Sequence, residues 1–167
     1  MTEDPAKEIE KLASIYFHNI EPNSSRREST GTRLIRSKIK DAFEEKGLLD
    51  LIMQNVPASP YTRKGDPLKF DFGYRIGAEI KLFQAISLRR DLDAGMALAV
   101  RYPQIAAGIM RIAEATAVLT GVVDDDLDRT REETQFALGL MEEERIKVVR
   151  VGEMPAIAEV ARVELKA

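Results

Sequence analysis

The 167-residue chain has no cysteine, no tryptophan and a single histidine, His18. It also lacks any apolar run near the roughly 20 residues that a membrane-spanning helix needs. Disulfides and thiolate metal centres are therefore excluded, and Ser-His-Asp chemistry is poorly supplied with imidazole. No Gly-Lys pair marks a phosphate-binding loop, and there is no Gly-x-Gly-x-x-Gly. The acidic stretch Asp124-Asp125-Asp126-Leu127-Asp128 imitates the start of a calcium loop. However, Arg129 stands where that loop needs glycine and Gln135 where it needs its last carboxylate, so helix capping explains it better. The polar start, Met1 to Ala6, has no signal-peptide pattern, and together with the missing cysteines it predicts a cytoplasmic protein without a membrane partner.

What is present is an uneven charge distribution within a net charge of -3. Between Ser24 and Lys46, seven basic residues face four acids, whereas the half after Phe83 is acidic. A local basic face can hold a phosphate backbone despite an acidic total. The length fits a single domain with a core of ordinary size.

Residues 7 to 20 carry Ile9, Leu12, Ala13, Tyr16, Phe17 and Ile20 at helical spacing, and a Pro-, Asn- and Ser-rich linker follows. This predicts an N-terminal helical arm with its linker over 1–31, open to homodimerisation through residues 7–20, and an α/β core over 32–167. Within the core, Ile35, Ile39, Ala42 and Phe43 give a helix over 32–46 whose other side gathers Arg33, Arg36, Lys40 and Glu44. A strand is predicted over 48–56, a Pro- and Gly-rich loop over 57–67, and a hairpin over 69–88. A helix over 91–116, broken or kinked at Pro103, then leads to a strand over 117–123. A helix over 124–144, a strand over 145–151 and a closing helix begun by Pro155 complete the order. A strand meander followed by crossovers implies a mixed β-sheet with helices on both faces.

The hairpin "KFDFGYRIGAEIKLFQAISL" carries Asp71, Glu79 and Lys81 in an otherwise apolar pattern. A three-residue Arg75-Ile76-Gly77 loop pairs Tyr74 with Ala78, sets Asp71 opposite Lys81 and puts Glu79 opposite Gly73. This register also gathers Leu68, Phe70, Phe72 and Tyr74 with Ala78, Ile80, Leu82 and Ile86 on one face, which a two-residue Ile76-Gly77 turn does not. The three charges then converge, with room above Gly73 for a metal or a phosphate. Two close carboxylates suit Mg2+ or Mn2+, which can activate a water and bind a scissile phosphate beside the Lys81 ammonium.

In this order of elements, residues 32–123 resemble the PD-(D/E)xK superfamily, the restriction-endonuclease-like fold. Phe70 precedes Asp71 where the family name implies proline, and the gap from Asp71 to Glu79 is short. The resemblance implies Asp71 and Glu79 as metal ligands, the Ile80 carbonyl as a third, Glu44 as an added acid and Lys81 as the catalytic lysine, with Gln84 near the substrate. It implies DNA hydrolysis of a bacterial or phage defence or toxin-antitoxin type. The alternative it leaves open is a non-catalytic member of the same fold that binds a protein or a nucleic acid. Independently of the resemblance, the charge pattern offers Arg33, Arg36 and Lys40 on the basic helix side as a phosphate-holding face, and Arg63 and Lys64 of the loop before the hairpin as cations that can touch a nucleic-acid backbone.

Overall fold

The chain divides into two units, Met1–Thr30 and Gly31–Ala167. The computed structural model describes residues 30–166, so the predicted arm over 1–31, with its dimerisation helix and His18, falls almost wholly outside the described residues.

The core is one five-stranded mixed sheet with four α-helices, in the strand order β1-β2-β3-β4-β5. Helix α1 (Thr30–Glu45) leads through a 3-10 turn at Leu49–Leu51 to β1 (Met53–Pro57), β2 (Lys69–Ile76) and β3 (Glu79–Ala85). Helix α2 (Leu92–Ala113) crosses to β4 (Thr116–Val123), α3 (Glu132–Glu143) crosses to β5 (Lys147–Arg150), and α4 (Met154–Lys166) closes the chain. The β1-β2-β3 meander is antiparallel, whereas β3-β4 and β4-β5 are parallel. This is the predicted mixed α/β architecture.

Both faces of the sheet are covered. Leu98, Ile105 and Ile109 of α2 and Leu138 and Met141 of α3 pack with Phe70, Leu82 and Leu119 on one face. On the other, Ile39 and Phe43 of α1 and Met154, Ala158 and Ala161 of α4 pack with Phe72, Phe83 and Val122. Phe43 meets Phe72 and Phe83 edge-on, with ring centroids 5.8 and 5.3 Å apart. Such geometry is the one aromatic quadrupoles favour.

Several boundaries depart from the periodicity: the hairpin predicted to Leu88 ends at Ala85, and the strand predicted over 145–151 spans Lys147–Arg150, with Val151 in a 3-10 turn. Pro103 lies inside one continuous α2 rather than between two pieces. Residues 124–131 form a loop, so the acids crowd the approach to α3 instead of its first turns. Residues 49–51, predicted as strand, form the 3-10 turn.

The hairpin register also differs from both alternatives drawn from the sequence. Ile76 pairs with Glu79, leaving Gly77-Ala78 as a two-residue turn. Gly77 has φ +62 and Ala78 is not among the residues with positive φ, as a type II′ turn requires at its first central position. Alternation misleads here because β3 is a central strand under helices on both sides. Leu82 belongs to one core and its neighbour Phe83 to the other, so no apolar stripe fixes the register. A second irregularity lies between β1 and β2. Gln54 pairs with Phe72 and Val56 with Phe70, but the ladder skips Asn55 and Asp71, and Asn55 takes φ 55°. Across this skip Phe70 and Phe72, two positions apart, enter opposite cores.

Candidate functional site

Asp71 is set by this skip. Its carboxylate accepts from Arg36 Nε of α1 at 2.7 Å and from the Ala85 amide of β3 at 2.8 Å. Its own amide donates to Gln84 Oε1 at 3.0 Å. The observed register sets Asp71 opposite Gln84, since Phe72 pairs with Phe83. Asp71 is buried, so the guanidinium and the amide supply the partners that a carboxylate out of water requires. The result is a clamp tying α1, β2 and β3 together.

Lys81 is elsewhere. It pairs with Tyr74 across the hairpin, and its ammonium lies 2.8 Å from Glu164 Oε2 and 3.0 Å from Glu164 Oε1, on α4. The Tyr74 hydroxyl donates to the same Oε1 at 2.7 Å. The Lys81 hydrogen bond holds the Glu164 carboxyl below its ordinary range, against the upward pull of burial. Burial and then Glu164 push the Tyr74 phenol upward. Glu79 is exposed beside the turn, opposite Ile76.

The predicted convergence of Asp71, Glu79 and Lys81 is therefore corrected. Lys81 stands three residues along β3 from the position opposite Asp71, roughly 10 Å of strand, and Glu79 five residues, roughly 17 Å. The room above Gly73 is also taken, because Leu82 stands opposite it and would lie 2.9 Å from a Cβ placed there. Ile80 sits inside the ladder between Arg75 and Ala117. Glu44 is exposed two turns of α1 beyond Arg36, about 12 Å along the helix. Among the described residues no three acidic or imidazole side chains gather as metal ligands. The residues named for Mg2+ or Mn2+ do not fit the ion, since Asp71 is committed to Arg36 and the others lie apart.

The predicted basic residues are split between the faces. Arg33, Arg36 and Lys40 belong to α1, on the Phe72–Phe83 side. Arg63 and Lys64 belong to the loop between β1 and β2, where Ala58 and Tyr61 pack with the α2 side. There the two cations line an open groove of about 270 Å³ together with Arg101 and Gln104 of α2.

The sequence reading missed a polar seam at the carboxyl ends of β3 and β4, where ligands of open α/β sheets commonly sit. Ser87 Oγ donates to Asp124 Oδ1 at 2.8 Å, the Arg89 amide donates to Asp124 Oδ2 at 2.9 Å, and the Ser87 amide donates to Thr32 Oγ1 at 3.2 Å. Ser87 and Asp124 are buried. Ser87 has no sequence signal beyond following an apolar run, and Asp124, expected to cap the next helix, instead accepts from Ser87 and the Arg89 amide.

Among the described residues no helix is long and apolar enough to cross a membrane. No protein-family model matches the chain, and no curated protein matches it. Among solved structures it is similar to the crystal structure of protein VC1899 from Vibrio cholerae, at 13% identity and a TM-score of 0.43. That similarity covers 87% of this chain, and the chain spans 37% of the Vibrio protein.

Proposed function

We propose that this chain is a non-catalytic domain on a nuclease-like α/β scaffold and acts by binding a nucleic acid. The observation that carries this reading is the pairing of Asp71 with Gln84 instead of an acid-x-Lys strand. The tripeptide beside Asp71 is Leu82-Phe83-Gln84, with an amide where the chemistry needs an ammonium. Lys81, the residue predicted for catalysis, spends its charge on Glu164. That ion pair, three strand positions away from the residue opposite Asp71, supports a role for Lys81 in holding α4 to the sheet. Nucleic acid is favoured as partner by the groove of Arg63, Lys64 and Arg101, where cations gather on one fixed loop and one helix.

The test incubates the purified chain with linear, circular and single-stranded DNA and with RNA in Mg2+ or Mn2+, beside Glu79→Ala and Lys81→Ala. No cleavage above the buffer control is expected, with retention of at least one of these nucleic acids in a binding assay. Cleavage by the wild type above the control would overturn the reading, and its loss in both variants would assign the chemistry to Glu79 and Lys81.

A further inference from the structure

The loop of residues 58–68 is built to hold a charge in place. The Tyr61 and Thr62 amides donate to the Ala58 carbonyl, at 2.9 and 3.1 Å, and the Asp66 amide donates to the Arg63 carbonyl at 3.1 Å. Gly65 takes φ +92, which lets the chain turn back sharply between Lys64 and Asp66. The loop lies directly on α2, for a Cβ at Gly108 would fall 1.9 Å from the Tyr61 carbonyl oxygen. Only hydrogen fits between them.

Asp66 anchors the other end. Its side chain is only 5% exposed and accepts from the Thr62 hydroxyl, from the Leu68 amide at 3.0 Å and from the Arg101 guanidinium. Burial pulls the Asp66 carboxyl upward, but these donors outweigh it and hold it below the ordinary range. Asp66 thus fixes the guanidinium of Arg101 at the rim of the groove, where 36% of that side chain remains exposed.

Arg63 and Lys64 line the same groove, and neither has an ion-pair partner among the described residues. Three cations against one buried carboxylate leave a positive excess around a concavity, which a structural bridge between Asp66 and Arg101 does not require. We propose that this groove binds a phosphate group, with Arg101 as the preset donor, Arg63 and Lys64 as the exposed charges and Gln104 as a neutral hydrogen-bonding partner. A guanidinium held in position matches two phosphate oxygens at once, and the openness of the groove leaves a phosphate free to continue into a chain on either side. The site deepens the binding reading and rests on it for its ligand class. The phosphate can come from a mononucleotide or from a nucleic-acid backbone.

Binding is measured by fluorescence anisotropy with single-stranded and duplex oligonucleotides, and by phosphorus NMR with AMP. The double variant Arg63→Gln with Lys64→Gln alters exposed side chains only, and an unchanged melting temperature verifies its fold. The expected result is a Kd at least about tenfold weaker than wild type for the ligand that binds, with the salt dependence of oligonucleotide binding shallower by about two. Oligonucleotide binding without AMP binding assigns the backbone, and AMP binding assigns the terminal phosphate. No binding of either ligand by the wild type would overturn the proposal, as would equal binding by the double variant. Loss of binding caused instead by Arg33→Gln with Lys40→Gln would place the phosphate on the opposite face and also overturn it. Cleavage of the oligonucleotides would sink the non-catalytic reading separately, whatever the double variant does.

Discussion

Lys81 and Glu164, 83 positions apart in the chain, meet at 2.8 Å and join the middle of the sheet to the last turns of α4. Tyr74 closes the group by donating to the same carboxylate. The pair is partly buried, so removing one partner strands the other charge near the core. Lys81→Met or Glu164→Leu alone should each lower stability by about 1–2 kcal/mol, and the double variant by less than their sum. Urea denaturation of all four proteins measures the coupling.

The same carboxylate gives stability a pH dependence of definite sign. Its pKa in the folded chain is held below the ordinary 4.5, chiefly by the Lys81 hydrogen bond. The stabilisation is therefore complete above 4.5 and is lost as pH falls through the lowered folded value. Asp66 acts in the same direction from its own ordinary value of 3.8. Melting temperatures between pH 6 and pH 3 should fall on acidification, and Glu164→Gln should flatten the upper part of that decline. An unchanged slope in the variant would refute the assignment.

The clamp at Asp71 is open to the same treatment. Asp71→Ala leaves the Ala85 amide without its acceptor and takes the Asp71 carboxylate from Arg36, and should cost roughly 2–4 kcal/mol. Asp71→Asn keeps one acceptor for that amide and should cost less. Hydrogen exchange would find the loss of protection centred on Ala85, at the end of β3.

Gly108→Ala tests how the phosphate groove is built. The added methyl meets backbone 1.9 Å away, which no rotamer can relieve, so the loop must lift from α2. Stability should fall by about 1–3 kcal/mol, and the crosspeaks of residues 58–68 should shift while those of α1 and α4 stay in place.

The layered sheet was readable from the order of apolar runs and breakers, because strand and helix periodicities differ and each run stopped at Pro, Gly or a charge cluster. The site was less so. Apolar alternation fixes register only when one face of a strand is wet, and β3 has Leu82 in one core and Phe83 in the other. Asp71 looked like a ligand because its true partners, Arg36 and the Ala85 amide, lie on other elements. Glu164, 83 positions beyond Lys81, has nothing in its local sequence that pairs it with that lysine. The Arg63–Lys64 pair stands out in its loop, but Arg101, which gives it a rigid neighbour, sits within an ordinary helical pattern.

The skip at Asn55 has a consequence beyond the placing of two phenylalanines. Strand β1 borders the sheet, and a straight edge of that kind offers a row of amides and carbonyls to any passing extended chain. Here the row is five residues long, broken in its middle by the left-handed Asn55 and closed by Pro57, which has no amide to offer. At the opposite border β5 is four residues long and begins and ends in Lys147 and Arg150. Neither margin is a template for another strand, so the sheet carries its own guard against fibre growth and self-association by strand addition.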